Sequence, residues 1–178
     1  MNKTVKTTLL IICAVALPNL IGWAGSNFTR TAIPTWYEKL KKPSWRPPNI
    51  AFPIVWTALY TGMGAASYLI YRDGGGFDGA ARLPLTVYAV NLLLNGIWTP
   101  LFFGAKRLDL ALVDILALVG VIGGCVATFY PVNKTAAYLM VPYLLWTSFA
   151  SLLNFKIWLD NPSGGAVTAP GSSSEKSN

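Results

Sequence analysis

Hydrophobic and polar positions along this chain are segregated into long blocks rather than alternating on the scale of a strand. Residues 7–29, 47–71, 83–105, 115–133 and 135–155 contain no Asp, Glu, Lys or Arg. These blocks are 23, 25, 23, 19 and 21 residues long, together 111 of the 178 residues. About 20 apolar residues at roughly 1.5 Å rise cross a hydrocarbon core about 30 Å thick. Each block therefore predicts one membrane-spanning helix. The expected spans are about 7–26, 50–71, 83–103, 109–130 and 136–159, forming one transmembrane domain over residues 1–161. Beyond Asn161 the chain turns Pro/Gly/Ser-rich, and 162–178 is expected to be a disordered tail.

The punctuation between blocks agrees. Lys3 and Lys6 precede the first one, but its apolar part runs on through Pro18, Trp23 and Gly25 without a small-residue cleavage pattern. A retained helix, kinked at Pro18, is expected over a signal peptide. The longest polar connection, 28–48, carries Arg30, Glu38, Lys39, Lys41, Lys42 and Arg46. Within it, Pro34–Leu40 can form two helical turns that put Trp36 and Leu40 on one face. Pro43, Pro47 and Pro48 impose extended geometry on the residues before them. The connection thus predicts a structured cap over the bundle mouth, with Trp36, Tyr37, Trp45, Pro47 and Pro48 as its stiff, aromatic parts. Gly74, Gly75 and Gly76 end the second block, Lys106 and Arg107 separate the third from the fourth, and Pro131 and Lys134 mark the last turn.

Composition narrows the function classes. Hydrophobic residues make up 53%, charged residues 12%, and mean hydropathy is +0.47, against about 25% charged residues in soluble domains. A water-soluble enzyme domain and a disordered chain are excluded. The net charge of +7 does not indicate nucleic acid, because the basic residues sit at block ends, where they anchor topology. Counting Lys and Arg, one side of the bundle holds nine and the other five. That asymmetry places the first loop and the C-terminus in the cytoplasm. The chain has no histidine, which removes imidazole-based catalysis and histidine-held zinc or haem. No metal cluster or cofactor fingerprint is present, and no cofactor is expected. Cys13 and Cys125 lie in separate apolar blocks and read as small buried hydrophobes.

The remaining candidates are polar or aromatic groups inside the spans. Trp23, Trp56, Trp98 and Trp146 fall within blocks rather than at their edges, so each indole N–H needs an interior partner or a cavity. Ordinary packing is the alternative. Asn91 and Asn95, one turn apart, and Asn154 serve either as interhelical glue or as ligand contacts. Asp114 is the one ionisable residue well inside a span, with Arg107 seven residues earlier as its expected partner. A structural network and a substrate path both remain open for it. Gly22-x-x-x-Ser26, Gly62-x-x-x-Ala66 and Gly120-x-x-x-Gly124 offer close-packing faces, within the bundle or towards a homodimer partner. An aromatic, weakly polar interior suits a flat apolar ligand better than an ion.

Beyond this, the residues resemble a known family. Trp36-Tyr37, Lys42-Pro43-Ser44-Trp45-Arg46-Pro47-Pro48, Phe52, Trp56 and Leu59-Tyr60 are similar to the translocator protein family, also called tryptophan-rich sensory proteins or the peripheral benzodiazepine receptor. The likeness continues through Asn95, Trp98, Pro100–Ala105, Ala111–Asp114, Pro142-Tyr143, Trp146, Phe149-Ala150 and Leu153-Asn154. The Phe103-Gly104-Ala105 block and the loop through Phe77 look closer to animal members. The resemblance implies an all-α membrane protein, a five-helix bundle whose structured first loop caps an internal cavity. It also implies binding of porphyrins such as protoporphyrin IX, of cholesterol, and of synthetic benzodiazepine-type ligands, with an outer mitochondrial membrane location in a eukaryote. Carried over by motif, the ligand-binding residues are Trp23, Ser26, Phe52, Val55, Trp56, Asn95, Trp98, Leu110, Trp146, Ala150, Leu153 and Asn154. Two departures stand out. The animal pattern has a tryptophan where this chain has Leu110. Its sterol segment uses tyrosines and a following arginine, where this chain has Phe155 and Lys156, which makes porphyrin the safer half of the inheritance. Two other functions share the same residues: oxidative or light-dependent porphyrin degradation through Trp56 and Trp146, and a ligand-occupancy sensor acting on partner proteins.

Overall fold

The computed structural model describes residues 2–162, and they form an all-helical bundle. Helix α1 is Lys3–Thr35, α2 Ala51–Asp73, α3 Arg82–Thr99, α4 Leu108–Phe129 and α5 Lys134–Asp160. A single 3₁₀ turn, Tyr37–Lys39, follows α1, and a π turn, Pro100–Gly104, extends α3. The expected tail falls outside the described residues except for Pro162. Among the described residues, four helices are long and apolar enough to cross a membrane: α1, α3 with its π turn, α4 and α5. Helix α2 is 23 residues long, but Trp56, Tyr60, Tyr68, Tyr71 and its Thr, Ser and Gly positions lower its apolarity. It packs between α1 and α5, and Gly64 and Ser67 are buried there.

The five expected helices are present, and α1 corrects the expected end of the first one. Instead of stopping near Ser26 it runs to Thr35, 33 residues in all, or roughly 50 Å. No breaker occurs between Asn27 and Ile33, so the helix continues past the apolar block as a column standing clear of a ~30 Å core. The expected two turns over Pro34–Leu40 reduce to the last turn of α1 and one 3₁₀ turn. Trp36 and Leu40 are nonetheless both buried.

The bundle is tightest where glycine replaces a side chain. A Cβ on Gly64 would lie 2.6 Å from the Ala14 carbonyl oxygen and from the Val15 Cα, so α1 and α2 touch backbone to backbone. Ala14 is four residues before Pro18, whose missing N–H leaves that carbonyl without its helical donor. The core beside this contact is Met63, Ala66 and Ile70 of α2 with Ile122, Cys125 and Phe129 of α4 and Met140 and Tyr143 of α5, all fully buried. Cys125 is buried as expected; Cys13 is exposed on α1, because the inner face of that helix is occupied by the contact with α2.

The Gly120-x-x-x-Gly124 face is split by the fold. Gly124 approaches Val87 of α3, whereas Gly120 and Gly123 have open space before them.

Candidate functional site

At the opposite end of the bundle the helices separate and enclose a cavity of about 320 Å³ beneath the first loop. Its walls come from every helix and from the loop, and among the described residues no charged one lines it. Gly22, Gly25 and Ser26 make the α1 wall. A side chain at Gly22 would run into the Tyr60 ring, so this glycine lets the α2 aromatic reach the cavity. Phe52, Trp56 and Tyr60 recur at four-residue spacing along α2 and present one face to it.

The α3 wall depends on a backbone irregularity. Pro100 cannot donate to the preceding turn, and the chain widens, with Ala105 N–H donating to the Pro100 carbonyl at 2.8 Å. That π turn brings the consecutive residues Phe102 and Phe103 both onto the cavity. Trp98 stacks on Phe102, with ring centroids 4.9 Å apart and planes 29° apart. Its indole N–H donates to the Asn154 side-chain oxygen at 3.2 Å. Asn154 Nδ2 in turn donates to the Leu108 carbonyl at 3.0 Å, tying α3, α4 and α5 together. A second polar tie lies deeper. Tyr60 Oη donates to Asn95 Oδ1 at 3.1 Å, and Asn95 Nδ2 pairs with Tyr143 Oη at 3.0 Å. Both asparagines thus act as interhelical glue while lining the cavity. Ser26 Oγ is buried and has no protein partner among the described residues.

The first loop closes this end. Tyr37 and Asn49 line the cavity, and Tyr37 packs its ring against Phe103 at 5.5 Å and Phe102 at 6.1 Å. Burial pushes the Tyr37 phenol above its ordinary pKa, against the opposing effect of Arg46. Lys42 Nζ donates to the carbonyls of Tyr37, Glu38 and Leu40 at 2.7, 2.9 and 3.0 Å, capping the 3₁₀ turn. Asn49 Nδ2 donates to Glu38 Oε1 at 2.9 Å, and this bond, with Lys42 and Arg46 nearby, holds the Glu38 carboxyl below its ordinary range. Trp45 rests edge-on against Phe149 of α5 at 5.7 Å. The loop is also clasped to the end of α5: Lys41 N–H donates to Asn161 Oδ1, and Asn161 Nδ2 donates back to the Lys41 carbonyl, both at 3.0 Å.

Of the residues named from sequence, Ser26, Phe52, Trp56, Asn95, Trp98, Ala150, Leu153 and Asn154 meet at the cavity. Four do not. Trp23 is 66% exposed, because Gly22 and Ser26 take the inner face and Trp23 projects away from it. Leu110 is 42% exposed; its neighbour Ala111 faces inward, so the position is no cavity wall here. Val55 packs against the buried core and does not line the cavity. Trp146 sits behind the wall, edge-on to Phe52 at 6.0 Å, with its indole N–H buried and unpartnered among the described residues. Phe155 and Lys156 also lie off the cavity: Phe155 is exposed beside Trp158, and Lys156 pairs with Asp160 at 2.7 Å.

Asp114 is buried with one carboxylate oxygen unpartnered among the described residues, and it does not line the cavity. Its expected partner, Arg107, instead forks onto Asp109 at 2.9 and 2.7 Å. Asn91 is fully buried with both amide atoms unpartnered among the described residues. Asn49 and Thr29 are cavity residues that sequence reasoning missed. Thr29 and Asn49 lie at the ends of the first and second charge-free blocks, where hydropathy does not say whether a polar side chain turns to the cavity or to water.

A multi-pass helical membrane protein with an aromatic, uncharged cavity under its first loop is the class that fold and site define. The family profile described as TspO/MBR matches residues 14–159. The chain is 42% identical over 145 residues to the translocator protein of Bos taurus, covering 82% of this chain and 86% of that one. It is 42% identical over 144 residues to the human translocator protein, covering 81% and 85%. It is 40% identical over 162 residues to the tryptophan-rich protein TspO of Chlorobaculum tepidum, covering 91% of this chain and 100% of that one. The chain belongs to the TspO/MBR family, and the expected closeness to animal members agrees with the bovine and human matches.

Proposed function

We propose that this chain is a membrane receptor or translocator that takes porphyrins, protoporphyrin IX first among them, into the cavity beneath the first loop. The observation that carries the reading is the wall itself: Phe52, Trp56, Trp98, Phe102 and Phe103 surround a space whose polar groups are few and uncharged. Flat aromatic bodies gain dispersion and stacking there, while an ion finds no counter-charge. Sterols and benzodiazepine-type ligands are secondary occupants. The segment expected to read a sterol, Phe155 and Lys156, faces away from the cavity, which supports porphyrin over cholesterol.

In a eukaryotic cell the reading places the chain in the outer mitochondrial membrane with the first loop and C-terminus cytosolic, supported by nine basic residues on that side against five. Gly120 and Gly123, open on α4, offer a second copy a close-approach face for a homodimer.

Titration of the detergent-solubilised protein with protoporphyrin IX, read by tryptophan fluorescence and porphyrin absorption, tests the function. Saturable quenching at micromolar porphyrin, with an unchanged porphyrin spectrum in light and dark, is expected. Absent quenching contradicts the ligand class. New product bands that vanish in Trp56→Phe or Trp146→Phe replace binding with degradation.

A further inference from the structure

The cavity wall is uncharged, yet its mouth is not. Asn49 lines the cavity and is itself exposed to water, so the opening lies beside it. Arg46 reaches that point from the first loop. Its guanidinium donates to Asn49 Oδ1 and lies over the Tyr37 ring, 5.5 Å from its centroid. Both partners are cavity residues and both are neutral. The carboxylate nearby, Glu38, is taken by Asn49 Nδ2 at 2.9 Å and faces Lys42 at 3.8 Å. A guanidinium carries five donors in a fork that matches a carboxylate. Here that fork is held at the rim of an apolar cavity on an amide oxygen, a weaker acceptor than a carboxylate.

We propose that Arg46 is the acid-recognising residue of the cavity, binding the carboxylate of an otherwise flat, apolar ligand in place of the Asn49 amide oxygen. The ligand then sits with its apolar body among Trp98, Phe102 and Phe52 and its acid at the mouth. The opposite orientation buries an anion against a wall with no cation. Asn49 and Tyr37 position the guanidinium, and Lys42 fixes the turn that carries Tyr37. Arg46 therefore selects acids over esters of the same body. Because the mouth is open to water, the selection weakens with salt.

The inference rests on the cavity being the ligand site, and a matched pair of probes separates the two claims. Protoporphyrin IX and its dimethyl ester present the same macrocycle with and without carboxylates. Dissociation constants for both are measured by tryptophan quenching in non-ionic detergent, for the wild-type chain, Arg46→Gln and Arg46→Lys. The wild type is expected to favour the acid by about tenfold, as one charge-assisted contact provides. In Arg46→Gln the acid-to-ester ratio falls to about one, and Arg46→Lys keeps only part of it, since an ammonium lacks the fork. The ratio is the readout, so a general loosening of the loop, which weakens both probes together, does not imitate the result. Equal affinity of acid and ester for the wild type overturns the role of Arg46 and leaves the cavity reading standing. A preserved ratio in Arg46→Gln does the same. Failure of both probes to bind the wild type overturns the cavity reading, and Arg46 with it.

Discussion

The two ends of this bundle use similar residues to opposite effect. At the far end from the loop, Gly64 lets α1 and α2 meet at backbone distance, and Met63, Ile70, Ile122 and Phe129 fill the remaining space. At the loop end, Gly22 is spent on admitting the Tyr60 ring, and Phe102 and Phe103 on the π turn line the cavity. Small residues close one end and open the other, according to whether a backbone or an aromatic ring comes to fill the gap. The ends also differ in what holds them. The closed end is held by apolar packing with one polar tie at its rim, Asn133 Nδ2 donating to Asp73, whereas the open end has polar ties, Asn95 and Asn154, inside the bundle and a loop clasped from the water side.

That difference can be broken in order of effect. Gly64→Val forces α1 and α2 apart where neither backbone can yield, and a cost of about 3 kcal/mol is expected, read as thermal unfolding in detergent. A change below 1 kcal/mol would mean the two helices are not locked there. Asn95→Ala removes the bonds to Tyr60 and Tyr143; it should cost about 1–2 kcal/mol and also weaken ligand binding, because the same side chain is glue and wall. A stability loss without an affinity change would separate those roles. The clasp is smaller still. Asn161→Ala, or glycine at both Pro47 and Pro48, should leave unfolding within about 1 kcal/mol and speed porphyrin release several-fold in stopped-flow measurements. Unchanged release would make the loop a connector only.

The weakest effect is pH. The Asn49 amide holds Glu38 below its ordinary pKa of 4.5, so its folded value lies under its unfolded one. The contribution of this carboxylate is present above pH 4.5 and is lost as pH falls through the lowered value. Release of protoporphyrin IX dimethyl ester, which has no carboxylate of its own to titrate, should be flat from pH 7 to 5 and quicken only below that range, and Glu38→Gln should remove the dependence. A pH-independent rate in the wild type would show that Glu38 does not hold the loop.

Helix number was legible because five charge-free blocks each match the thickness of a bilayer. The end of α1 was not, since hydropathy reports where lipid stops and Asn27–Ile33 continue the helix beyond it. Phe52, Trp56 and Trp98 of the aromatic wall were readable as site residues by motif, Phe102 and Phe103 were not, and facing was not: Trp23 and Leu110 lie next in sequence to the inward Gly22 and Ala111 and turn outward. The Pro100 turn was marked by its proline, yet proline alone does not say that the chain will widen rather than stop. Asn49 and Arg46 belong to an irregular loop, where only tertiary contacts decide what reaches the cavity.

The central claim, that the cavity is where the ligand sits, is tested most directly by filling it. Ala150→Phe places a ring in the cavity from its α5 wall, while Leu152→Phe adds the same ring on the exposed face of that helix. Equilibrium titration with protoporphyrin IX should show at least a tenfold loss of affinity for Ala150→Phe and none for Leu152→Phe. Equal affinity of both variants with the wild type would place the ligand elsewhere and contradict the account.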